Sequence, residues 1–474
     1  MAGKGIAKML DYKMKIGLVP ERRFLPGPKR TGIFNPDYAV ANKEKVFNFV
    51  KKNYADQQTE FVDIDFLNEE GLLYHTDQCE TVAKYFREQE VDAIFLINCN
   101  FGNEEAAGKI AHLVGKPVLL WGPRDTVFDG DGTRYTDTQC GLFAISKQLK
   151  RYHIPFSYIE NCHIEDKAFE EGFRKFLSVV CMVKNFHRLN VVQVGVRVKP
   201  FKSVMVNEME LLEKFGIEIT PINMAEATAR LNQIYQDKIG PLKTDAEKIR
   251  EKFDTSSVRD ELLIKMMAFV YFYEDLFAEN NASIVSTECW TSMQLAFGAM
   301  PCLAMSILAD MGYPVICESD IYGGITSALL SCAVRGKTPP FFGEFTCRNP
   351  KNDNSELLWH CGPFACSLKK KGVPAGLYNA RPSFQLEDGE YTIARFQAEQ
   401  GKHYLLGGEF RTAEGPYTFG TYLWAEFENL PKVERKLIEG PYIHHMSEVK
   451  GQYADVLKEF CKYVPELHFD DIND

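Results

Sequence analysis

The sequence predicts an α/β fold: two Rossmann-like parallel-sheet α/β domains followed by a β-rich C-terminal domain. Three observations lead there. At 474 residues the chain is too long for one ordinary core. Short apolar runs alternate twice with amphipathic stretches of helical length, once on each side of a long helical segment. Past Gly336-Lys337-Thr338-Pro339-Pro340 the pattern changes to short, glycine-punctuated, alternating runs. These changes place boundaries at 1–175, 176–336 and 337–474.

In the first series, KIGLVPE from Lys15 reads as a strand and NKEKVFNFVKKNYA as a helix. FVDIDFL, VDAIFLINCN, PVLLWGPR and PFSYIEN are further strands, separated by DQCETVAKYFREQE, EEAAGKIAHLVG and TQCGLFAISKQLKRYH. Buried strands joined by such helices require crossovers and hence a parallel sheet. Ligands bind beyond the carboxyl ends of such strands, which draws attention to Asn98, Asn100 and Asn103, and to Arg124. The long segment EDKAFEEGFRKFLSVVCMVKNFHR leads into a second series. Its expected strands are LNVVQVGVRV, IEITPINM, SIVSTECW and YPVICESD, with helices between them. FFGEFT, YTIARFQ, HYLLGGEFR and GTYLWAEFE then form a mostly antiparallel domain, closed by a helix over SEVKGQYADVLKEFCKYV.

A net charge of -10 argues against a nucleic-acid or anionic-membrane partner and suits a small neutral substrate or a carboxylate-rich metal site. No apolar run reaches the ~18 residues that span a bilayer. The first residues show no export pattern. Thirteen cysteines lie mostly in apolar stretches without a CxxC pair, so reduced thiols, a cytoplasmic location and no cysteine-bound zinc are expected. No phosphate-binding loop, GxGxxG, GxSxG or HExxH is present, which disfavours an ATPase, a dinucleotide dehydrogenase, an α/β-hydrolase and a zincin.

What remains is a group of strand-end acids and histidines. Glu288 ends ASIVSTE, and Glu318 and Asp320 end PVICESD. Strand alternation points Glu318 and Asp320 to one side, where like charges repel unless a cation or proton lies between them. A lone acid at a strand end equally serves as a helix cap. Adjacent His444 and His445 face opposite ways if extended, so one is buried and one wet. Imidazole beside carboxylates suits Mn2+, Co2+ or Zn2+. His360, in ELLWHCGPF, is a further candidate ligand or a hydrogen-bonded core residue. Trp290, beside Glu288, stacks on a sugar face or fills a core.

VICESDIYGG resembles the strand-end acidic motif of the L-fucose isomerase family, where an Asp two residues after a Glu binds Mn2+. EGPYIHHMSEVKGQYADVLKEF is similar to the C-terminal segment of L-fucose and L-arabinose isomerases. The resemblance implies Asp320 and His445 as metal ligands, with His445 chosen over His444 by its spacing to the following glycine. Fucose isomerases place their other carboxylate ligand near Pro301-Cys302 here; Glu288, the nearest acid, is expected to replace it as third ligand and base, with Asp320 as the other catalytic carboxylate. Arabinose isomerases supply glutamates near Glu344 and at the place of His360. The chain is thus expected to be a divergent member. The implied reaction is metal-dependent aldose–ketose isomerisation through an enediolate, with Mn2+ or another divalent ion such as Co2+, Zn2+ or Mg2+. Glu318, Glu344 and Trp290 are implied substrate contacts. The family further implies a homo-oligomer in which Asn98 and Arg124 reach a neighbouring subunit's substrate. Rival readings are a non-catalytic sugar-binding protein, or an epimerase or aldol-cleaving enzyme using the same enediolate chemistry.

Overall fold

The computed structural model describes residues 10–25 and 33–474. The reading of the chain start falls largely on residues 1–9, outside the described residues. The chain divides into two compact units, one built from Tyr12–Lys184 with Lys462–Val464, the other chiefly from Asn185–Cys461 and Pro465–Asp474. Each is described by itself.

The first unit has a five-stranded sheet of β1 (Met14–Glu21), β2 (Thr59–Val62), β3 (Ala93–Asn98), β4 (Val118–Trp121) and β5 (Phe156–Tyr158). Its order is β2-β1-β3-β4-β5 and every pairing is parallel. β3 is buried along its whole length, as an apolar strand covered on both faces must be. The order reverses between β1 and β3, so Glu21 and Asn98 end neighbouring strands at a switch point.

The second unit contains a four-stranded parallel sheet of β6 (Asn190–Val194), β7 (Glu218–Ile222), β8 (Ile284–Thr287) and β9 (Val315–Ile316), ordered β7-β6-β8-β9. Two expectations need correction here. LNVVQVGVRV is a strand only to Val194, because Gly195 adopts φ +76° and starts a loop. YPVICESD is a strand only to Ile316: Glu318 (φ 65°) and Ser319 (φ 57°) are both left-handed. Simple alternation therefore does not orient Glu318 and Asp320. Each such residue costs roughly 1–2 kcal/mol, a strain that collects at functional sites.

The same unit carries β10 (Phe341–Arg348), β11 (Ser355–His360), β12 (Gly376–Tyr378), β13 (Arg381–Gln385), β14 (Glu390–Glu399), β15 (Lys402–Ala413), β16 (Thr421–Glu426), β17 (His445–Lys450) and β18 (Leu467–Asp471). The antiparallel pairings β16-β11-β10-β17-β14-β15 return to β16, closing a six-stranded barrel and removing its free edges. The expected closing helix is shorter than read: SEVK belongs to β17, and the helix is Ala454–Cys461.

Helix Ile321–Ala333 is buried at every residue. It lies between the parallel sheet and the barrel, and two glycines permit this. A Cβ on Gly323 would stand 2.3 Å from a Phe342 ring carbon, and one on Gly324 would stand 2.6 Å from the Ile284 side chain. On the barrel side, the Thr326 hydroxyl accepts from the Phe396 amide (2.8 Å), and Ser327 meets Ser447 at 2.8 Å. This packing fixes Asp320, the helix N-cap, against β14 and β17. Among the described residues no helix is long and apolar enough to cross a membrane.

Candidate active site

His445 opens β17 opposite Glu344 of β10, and Glu344 is in turn opposite Trp359 of β11, one residue before His360. Strand pairing thus gathers Glu344, His360 and His445 from well-separated segments. The turn after β9 adds Glu318 and Asp320. His445 is fully buried while the His444 side chain is 42% exposed, the division expected of an adjacent pair on a strand.

Asp320 is fully buried and all its acceptor capacity is committed. Arg395 of β14, also fully buried, grips it with both guanidinium arms at 2.5 and 3.1 Å. The Gly323 amide donates to it at 3.0 Å, and His445 Nδ1 lies 3.0 Å away. Burial alone would raise this carboxyl, but the Arg395 charge and the His445 hydrogen bond hold it well below the ordinary carboxylate range. An ionised carboxylate only accepts, so His445 donates through Nδ1–H, and a neutral ring then bears its lone pair on Nε2.

That Nε2 faces carboxylates. Glu318 Oε2 is 3.1 Å away and Glu344 Oε2 is 3.7 Å away. Neither His445 Nε2 nor Glu318 Oε2 has a hydrogen-bond partner among the described residues, and both are buried, as is the unpartnered Nε2 of His360. Two lone-pair atoms at 3.1 Å repel unless a proton or a cation sits between them. Against the opposing effect of burial, Asp320 and Glu318 raise the pKa of His445, the direction in which a proton fills that role.

One ligand atom each from Glu318, His360 and His445 lie within 4.8 Å of one another, and the same holds for Glu344, His444 and His445. His445 is common to both sets. Burial raises the Glu344 carboxyl. Burial and the neighbouring His445 pull His444 down to about 4, leaving it neutral near pH 7. His360 Nδ1 accepts the Cys361 amide at 2.9 Å. In the neutral ring the proton then sits on Nε2, so ligation through Nε2 requires that contact to rearrange.

The remaining residues singled out from the sequence take other places. Glu288 is 5% exposed and accepts from the Val196 amide at 3.2 Å and from the Ser292 hydroxyl. It pins the loop that follows β6, and Ser319 holds the same loop by donating to the Val196 carbonyl at 2.8 Å. Trp290 donates its indole N–H to Glu318 Oε1 at 2.9 Å, and its ring lies 5.6 Å from that of Phe201. Phe201 also meets the ring of His445 at 6.0 Å. In the first unit, Asn98 is buried and donates to the Thr138 carbonyl (2.9 Å), while Arg124 is exposed beyond β4.

Sequence reading missed Arg395 and the Gly195–Val204 loop. Arg395 left one signal, a cation inside the apolar run YTIARFQ, where burial demands an anion. A cleft of about 560 Å3 lies beside His444, lined in part by Phe345, Arg348, Glu356 and Tyr442.

The model for the N-terminal domain of fucose/sulfoquinovose isomerases matches residues 28–187. A sulfoquinovose isomerase of Priestia megaterium is 24% identical over 401 residues, covering 82% of this chain and 88% of that protein. Another, from Alkalicoccus urumqiensis, is 25% identical over 377 residues, covering 78% and 83% respectively. A third, from a Clostridium species, is 25% identical over 293 residues. With the parallel sheets, the barrel and the converging acids and histidines, these similarities define an aldose–ketose isomerase of sugars. The chain is similar to fucose/sulfoquinovose isomerases in its N-terminal domain and to sulfoquinovose isomerases over most of its length.

Proposed function

We propose that the protein interconverts an aldose and its ketose through an enediolate, using a divalent metal at Glu318, His445 and His360, and that its sugar bears a sulfonate. The carrying observation is the buried pair His445 Nε2 and Glu318 Oε2, 3.1 Å apart, a spacing that requires a proton or a cation between them. The donor set of carboxylate and imidazole suits Mn2+ best, with Co2+, Zn2+ and Mg2+ as alternatives. When bound, such an ion supplies a Lewis acid to the sugar's O1 and O2 oxygens and so acidifies the C2 proton.

The chain's own residues do the rest. Asp320, locked by Arg395, orients His445 and fixes its tautomer; this makes it a positioning residue, whereas the family motif implies a ligand. Glu344, half-buried with a raised pKa, moves the proton from C2 to C1, while the hydroxyl proton passes from O2 to O1. Glu288 positions the loop over the site in this reading. Trp290 and Phe201 form an aromatic wall for the sugar ring. The same loop bears Arg197, Lys199 and Lys202 close to a site rich in acids, a placement that suits an anionic substituent. Asn98 and Arg124 remain proposed contacts to a neighbouring subunit's substrate in a cytoplasmic homo-oligomer.

The test is to strip the protein with chelator, restore Mn2+ and follow ketose formation from sulfoquinovose and from its uncharged 6-hydroxy counterpart, glucose. Glu318→Gln and His445→Ala are expected to lose about 100-fold or more. Full activity without metal, or in His445→Ala, overturns the metal reading; equal turnover of the two sugars overturns the sulfonate.

A further inference from the structure

We propose that Cys317, His360 and Cys361 form a binding site for a thiophilic cation such as Zn2+, one that shares His360 with the carboxylate–imidazole cluster. One ligand atom from each residue lies within 4.8 Å of the other two. Cys317 follows β9 and Cys361 follows β11, so the fold builds from distant segments what no CxxC spacing announces. Cys302, at the start of helix Cys302–Asp310, brings its Sγ to 3.6 Å from that of Cys361. Two sulfurs on one tetrahedral zinc, each at about 2.3 Å, stand ~3.8 Å apart. Cys302 and Cys361 therefore already hold nearly the spacing the ion requires, which places Cys302 to act as a fourth donor beside Cys317, His360 and Cys361.

The surroundings are soft. Cys317 Sγ also touches the Met305 thioether at 3.4 Å. Sulfur and imidazole donors select Zn2+, Cd2+ or Cu+ over the Mn2+ and Mg2+ that carboxylates favour. Cys302, Cys317 and His360 are buried, and Cys361 is half-buried and gives the approach. Binding of a divalent ion by the two thiols and the imidazole releases the two thiol protons. It also withdraws His360 from the neighbouring cluster, so thiophilic ions compete with isomerisation. The site itself stands on its own geometry, whatever sugar the enzyme takes.

The experiment uses the full chain with Cys140→Ser and Cys347→Ser, which removes the exposed thiols. It is stripped with chelator and titrated with Cd2+, following the ultraviolet thiolate-to-cadmium charge-transfer band. The expected result is one equivalent of Cd2+ with a band lost in Cys317→Ser and Cys361→Ser but kept in Glu318→Gln and His445→Ala. A band unchanged in Cys361→Ser, or lost in Glu318→Gln, overturns the proposal. Alkylation of the unsubstituted chain needs no variant to fold: saturating Zn2+ should slow modification of Cys361 by about tenfold or more relative to Cys140. Equal Cys361 rates with and without Zn2+ would overturn it as well.

Discussion

Replacing Arg395 with methionine keeps most of the side-chain volume and removes the charge that neutralises Asp320. Both partners are fully buried, and the guanidinium makes two hydrogen bonds to the carboxylate and one, at 3.1 Å, to Gln397. Asp320 would keep only the Gly323 amide and His445 as donors. Breaking a buried pair from one side costs about 3–5 kcal/mol, chiefly because a charge is left unpaired. Asp320→Asn strands Arg395 in the same way and should cost a similar amount. The double variant Asp320→Asn/Arg395→Met leaves neither charge and should lose ~2 kcal/mol or more less than the two single costs together. Chemical denaturation followed by tryptophan fluorescence reads this directly, since Trp290, Trp359 and Trp424 all lie in the unit that holds the pair. Single costs below about 1 kcal/mol, or additivity within ~0.5 kcal/mol, would refute the claim that the pair is a clamp.

Three other outcomes follow from the same structure. Burial lifts the Glu21 carboxyl from 4.5 to about 8, so the folded chain keeps a proton that the unfolded chain releases. Stability from this group is full below pH 4.5 and lost as pH rises through 8, a change on the order of 5 kcal/mol; Glu21→Gln should flatten the melting temperature between pH 5 and 8. Gly323→Ala puts a Cβ 2.3 Å from the Phe342 ring and should cost about 1–3 kcal/mol in denaturant unfolding, against little effect for alanine at exposed Gly130. Arg197→Gln/Lys199→Gln should raise KM for an anionic aldose, with a smaller change in kcat, and weaken the salt dependence of kcat/KM.

The parts of this fold that periodicity governs were legible in the sequence. Apolar runs such as VDAIFLINCN became buried parallel strands, and the parity of His444 and His445 separated the exposed ring from the buried one. What stayed hidden depends on backbone conformations and partners that periodicity does not encode. Glu318 and Ser319 are left-handed without being glycine or asparagine, so strand alternation over ICESD does not orient Asp320. Beside the expected His445 it meets Arg395, 75 residues away on β14. Cys302, Cys317 and Cys361 meet only because a helix, a turn and a strand end converge. Barrel closure between β15 and β16 likewise depends on pairings that no single strand announces.

In the proposed mechanism His445 Nε2 and Glu318 hold a divalent metal that the isomerisation needs. Its most direct test is the rate of ketose formation by chelator-stripped protein before and after one equivalent of Mn2+. The expected rate is near background and is restored by Mn2+ in the wild-type chain but not in His445→Ala. Undiminished turnover by the stripped protein would contradict it.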